Sequence, residues 1–124
     1  MAVNPDLRRS LLELHRLLLD VQRRQVERIN GRMSPGELLQ AATQDLRFSW
    51  INELFEPIAA LDAAYSDDDE AAADAAVERI RALVAEPDPE GSFGRRYLQV
   101  LQDEPGVVLV HRDVTAALQL NRRE

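Results

Sequence analysis

The chain has 124 residues, a net charge of −7, no cysteine and no lysine, so all 15 basic residues are arginine. This is the length of one domain, enough to bury roughly two-thirds of the unfolded surface around a single core, and 45% hydrophobic with 30% charged residues marks a globular chain. The composition excludes a disulfide scaffold, a thiolate nucleophile and a sulfur-built zinc site, and the acidic total disfavours nonspecific nucleic-acid binding.

The first residues, Met1-Ala2-Val3-Asn4-Pro5-Asp6, lack the basic-then-apolar layout of a signal peptide, so a cytoplasmic location is expected. No apolar run approaches the roughly 20 residues that span a bilayer, and no membrane partner is expected. Asn4 is placed to cap a helix, Pro5 suits its first position, and Asp6 favours the positive end of its dipole. Leu7, Leu11, Leu14, Leu18 and Val21 then recur in steps of four and three. A second row runs Leu12, Leu19, Val26 and Ile29, with His15 and Gln22 at its intermediate steps. The stripe is broad enough for more than one neighbour. Oppositely charged residues stand four apart on the other side, as at Arg9–Glu13 and Arg23–Glu27, and Asn30-Gly31 ends a long amphipathic helix.

Ser34-Pro35-Gly36-Glu37 has the form of a capping box and opens a short helix through Leu38, Leu39, Ala41 and Ala42. Asp45 pauses it and caps the next segment, in which Phe48, Ile51, Leu54 or Phe55, Ile58, Leu61 and Tyr65 keep helical spacing. Pro57 lies inside that run, so a kink or break is expected near Glu53–Pro57. Ser66 is expected to cap the following helix, with Asp67-Asp68-Asp69-Glu70 loading its N-terminus and Val77, Ile80, Leu83 and Val84 on its apolar side. Pro87 and Pro89 make a stiff loop, and Ser92 is expected to cap a helix carrying Phe93, Tyr97, Leu98 and Leu101. Pro105 restarts the chain. Val107-Val108-Leu109-Val110 has strand character, but a lone strand would leave its backbone unpaired, whereas Val107, Val110 or His111, Val114, Ala117 and Leu118 fit a helix. The expectation is an all-α, single-domain bundle of five or six helices over residues 1–124.

Several stretches also carry a likeness: Ser34-Pro35-Gly36-Glu37-Leu38-Leu39-Gln40, Asp45-Leu46-Arg47-Phe48-Ser49-Trp50, Pro57 with Leu61-Asp62, Phe93-Gly94-Arg95-Arg96-Tyr97-Leu98, and Pro105, Val107, Val108 and His111. Through these the chain resembles a family of small uncharacterised all-helical bacterial proteins. It departs from that family at Leu46, where a proline tends to follow the aspartate. The resemblance implies a helical fold and brings no activity with it.

Chemistry-bearing residues are sparse. His15 and His111 are the two histidines, and with Glu53 and Glu56 they form the one metal set worth testing. The sequence has neither Glu-x-x-His nor His-Glu-x-x-His, so histidines bonded within the core are the plainer expectation, and no cofactor is expected. Gly-x-Ser-x-Gly is absent, and 22 acids give carboxylate pairs by chance, so no catalytic residue stands out and a non-enzyme is favoured. Gly94, Arg95 and Arg96 open a helix and offer a weak anion site. Against it stands close packing at the glycines and internal pairing of the arginines. Phe48, Trp50 and Phe55 either thicken the core or mark an interface.

Charge is unevenly distributed. Residues 1–32 carry seven Arg against four acids, a net of +3; residues 33–94 carry three against fourteen, a net of −11; residues 95–124 carry five against four, a net of +1. The segments can pair within one molecule or between two. The functional expectation is a protein acting by contact, as a homodimer or with a protein partner, with nucleic acid disfavoured. The alternative is a small-molecule or anion binder.

Overall fold

The computed structural model describes residues 5–122. Helix α1 spans Pro5–Asn30, α2 Pro35–Gln44, α3 Ser49–Ser66, α4 Glu70–Val84, α5 Ser92–Asp103 and α6 Pro105–Arg122, with a short 3-10 turn at Leu46–Phe48. The protein is therefore all-α, and the valine-rich run at 107–110 is helical as its spacing requires. None of these helices is long and apolar enough to cross a membrane.

At 26 residues, α1 is about 39 Å long and forms the axis of the fold. It packs against α3 on one side and α6 on the other; α3 pairs with α4, and α4 closes against α6. Contacts between α1 and α3 join Arg8 to Asp62, His15 to Phe55, and Gln22 to Trp50, an antiparallel register. Between α1 and α6 the Arg24–Glu104 ion pair sets the same sense. Leu7, Leu11, Leu14 and Leu18 are fully buried between these neighbours, together with Phe48, Ile51, Leu54, Ile80 and Val114. Helix α5 packs against α3, α4 and α6, inserting Phe93 and Tyr97. Helix α2 buries no residue completely.

Local chemistry explains most boundaries. Gly31 ends α1 with φ of +86°, a conformation that a side chain would strain, and its N–H bonds the Glu27 carbonyl at 2.9 Å. The capping box is formed: Glu37 N–H donates to Ser34 Oγ at 3.1 Å while Ser34 N–H donates to the Glu37 carboxylate at 3.0 Å. Asp45 accepts from Arg47 N–H at 2.9 Å, which closes α2 and starts the 3-10 turn. The Asn4 cap lies outside the described residues.

Three expectations are corrected. The break near Glu53–Pro57 is absent: α3 is one uninterrupted helix of 18 residues with Pro57 inside it. Proline removes one backbone bond, and burial of Leu54, Pro57, Ile58 and Leu61 against the neighbouring helices holds the segment helical. Ser66 does not cap α4. It is the last residue of α3; the chain turns through Asp68 at φ of 54°, and Asp69 accepts from Ala72 N–H at 3.1 Å. Ser92 is likewise inside α5, with Gly91 at the cap, and its hydroxyl donates to Glu53.

Gly94 lies in the first turn of α5 against the backbone of Asp88. A Cβ added there would stand 2.0 Å from the Asp88 carbonyl oxygen and 2.6 Å from its nitrogen. Alanine normally gains up to about 1 kcal/mol over glycine in a helix, but an immovable backbone contact reverses the sign. Gly94→Ala is therefore expected to destabilise by about 1–3 kcal/mol in chemical denaturation. Gly36→Ala, with nothing within 4 Å, is expected to be neutral or slightly stabilising.

Candidate functional site

The residues weighed as a metal set are not brought together, and the described residues contain no group of three His, Asp or Glu side chains placed to hold a metal ion. His15 stacks in a tilted arrangement on Phe55, ring centroids 4.9 Å apart, between α1 and α3. His111 is on α6, where Nδ1 lies 2.6 Å from the Tyr97 hydroxyl. Glu53 accepts from Ser92, and Glu56 faces Arg79 at 3.9 Å. Both histidines are partly covered, and burial pushes each pKa below the ordinary value. Burial pushes the Tyr97 phenol up, so it stays protonated and shares a hydrogen bond with His111 Nδ1.

Phe48 and Trp50 are buried and are not an exposed interface; Phe55 alone of the three aromatics is substantially exposed. Helical spacing could not separate these cases, because the 3-10 turn at Leu46–Phe48 rotates Phe48 inward before α3 begins.

At the Gly94-Arg95-Arg96 helix start the two arginines diverge. Gly94 is closed off by Asp88, and Arg95 points to solvent. Arg96 turns the other way. Its Nη2 donates to Gln22 Oε1 at 3.0 Å and to Gln25 Oε1 at 3.2 Å, and its guanidinium lies 5.5 Å from the centre of the Trp50 ring. Gln22 Oε1 also accepts from Trp50 Nε1 at 2.9 Å. Gln22 is only 4% exposed, so this amide is a buried polar node shared by α1, α3 and α5. A glutamine on an apolar stripe was the sequence signal for it. Such a side chain needs a partner inside.

At least three depressions border α1, and two of them carry exposed leucines. One, of about 700 Å³, lies between α1 and α6; its apolar part includes Leu12, Val110, Ala116 and Leu120, and its rim carries Asp6, Arg9, Glu13, Arg16 and Asp113. The other, of about 380 Å³, lies at the far part of α1 beside Trp50 and Arg96. Spacing missed Leu46 in this second groove because it precedes the helical register.

Most α1 arginines are occupied within the molecule. Arg8 donates through Nε and Nη2 to Asp62 and lies 4.6 Å over the Tyr65 ring. Arg23 joins Asp20 and Glu27, and Arg24 joins Asp20 and Glu104. The bonds from Arg23, then Arg24, hold the Asp20 carboxyl below its ordinary range. A basic first segment is thus not a free basic surface. No family model, curated protein or solved structure matches the chain.

The histidines give a pH signature. Since their folded-state pKa values lie below the ordinary 6.5, the unfolded chain takes up protons first as pH falls. Stability from this source is complete above about pH 6.5 and is lost below it. The thermal midpoint is expected to fall between pH 7.5 and 5.5, with a smaller fall in His15→Leu/His111→Gln. Tyr97→Phe is expected to cost about 1 kcal/mol at pH 7.5 by removing the hydrogen bond to Nδ1 of His111.

Proposed function

We propose that the protein works by contact rather than catalysis, and that its partner is a second copy docked through the groove between α1 and α6. The observation carrying this reading is the order of charges on the outer face of α1. Asp6, Arg9, Glu13 and Arg16 form an exposed row of signs −, +, −, +. When two copies of α1 run antiparallel about a twofold axis near Leu11, Asp6 meets Arg16 and Arg9 meets Glu13. Every pair is then opposite in sign. A parallel, in-register pairing would put like charges together.

The apolar part comes from the side chains that the bundle leaves uncovered. Leu12 and Leu120 are about half exposed, at 51% and 55%, and both line the groove. Leu12 belongs to the second apolar row of α1, whose outer part no helix of the same chain covers. Exposed ion pairs add little affinity but set register and partner choice, while apolar burial supplies most of the binding energy. A bacterial, cytoplasmic setting for such a dimer belongs to the same proposal.

Sedimentation equilibrium tests this directly. The wild-type chain is expected to dimerise, and Arg9→Glu to weaken association by at least about tenfold, because two symmetry-related pairs become repulsive. The swap Arg9→Glu/Glu13→Arg is expected to restore it. A monomer at the highest soluble concentration, or a swap no better than the single variant, would overturn the reading.

A further inference from the structure

The second groove holds a cation without a counter-charge. Arg96 is partly buried, fixed by two neutral amide oxygens and an aromatic face, and no carboxylate among the described residues lies within ion-pairing distance of it. Glu104 is held by Arg24 at 2.7 Å, and Asp103, which shares a second depression with Arg96, lies outside ion-pairing distance of it. Taking a guanidinium partly out of water without an anion is unfavourable. The arrangement aims Arg96 before any ligand arrives, which lowers the ordering cost of binding. Only Nη2 is used by the glutamines. The other N–H groups meet no protein acceptor among the described residues.

The groove beside it is lined by Val26, Ile29, Leu46 and Trp50. Ile29 and Leu46, at 79% and 86% exposed, are the two most exposed large apolar side chains among the described residues. Arg47 is also at the rim, but Asp45 takes its Nη2 at 2.7 Å and its Nε at 3.1 Å. The site therefore has one available positive charge and an aliphatic wall. Its volume of about 380 Å³ falls within the roughly 300–1,000 Å³ typical of small-molecule pockets.

We infer that this groove binds an aliphatic monocarboxylate of medium chain length, with the carboxylate on Arg96 and the chain along Ile29, Leu46 and Val26. A planar carboxylate matches a guanidinium fork, and its single charge equals the single uncompensated cation. A phosphate dianion would bring a second charge with no partner into a protein of net charge −7. The site is separate from the α1–α6 groove and does not depend on dimerisation.

Trp50 is the only tryptophan, so its fluorescence reports on the site without labelling. Titration with sodium octanoate is expected to give a saturable change in emission. Acetate, inorganic phosphate and octan-1-ol are each expected to bind at least tenfold more weakly, the first two lacking the chain and the last lacking the charge. Arg96→Gln is expected to weaken octanoate at least tenfold. Because Arg96 also supports Gln22, Leu46→Asp is the companion variant: its exposure leaves the fold intact, and the new carboxylate should weaken octanoate by at least tenfold. Should circular dichroism show Arg96→Gln unfolded, Leu46→Asp and the octanol comparison decide. The inference is overturned if octanol binds as well as octanoate, if Leu46→Asp leaves binding unchanged, or if no saturation appears by about 10 mM.

Discussion

The amide oxygen of Gln22 accepts from Trp50 on α3 and from Arg96 on α5 while its own backbone belongs to α1. Apolar packing tolerates small slips between helices, but a buried amide does not, because any displacement leaves a polar atom without a partner. The node therefore fixes the register of α1 against α3, which continues through His15–Phe55 and Arg8–Asp62. It also draws Arg96 away from the start of its own helix and holds it over Trp50. One buried side chain thus links the arrangement of the bundle to the placement of the Arg96 guanidinium.

Much of the fold was legible in the sequence because helix periodicity and capping are local. The stripe through Leu7, Leu11, Leu14 and Leu18, the Ser34 capping box and the Gly31 stop all depend on residues within a turn or two of one another. What failed was decided at longer range. Pro57 argued for an interruption, yet packing on both sides of α3 outweighs one missing backbone bond. Ser66 and Asp69 are both good caps, and the choice between them rests on the turn at Asp68. The sites were harder still. Gly94 and Arg96 looked like one feature in sequence, but the Asp88 backbone closes the first and the glutamines of α1 claim the second.

The charge pattern takes on a different meaning in three dimensions. The net positive first segment neutralises itself largely through its own acids, and among the described ion pairs only Arg8–Asp62 links it to the acidic middle. The α3–α4 turn therefore keeps its negative surface. That field opposes indiscriminate association.

Helix α2 shows how unevenly the molecule is held together. Its ten residues bury no side chain fully, and Leu39 projects into solvent. A helix this short is marginal on its own, so it rests on the Ser34–Glu37 cap and light packing against the 3-10 turn and α3. Such a segment has far less burial holding it in place than α1 has. The chain thus sets a lightly buried helix beside a well-buried bundle, joined at Asp45 immediately before the exposed side chain of Leu46.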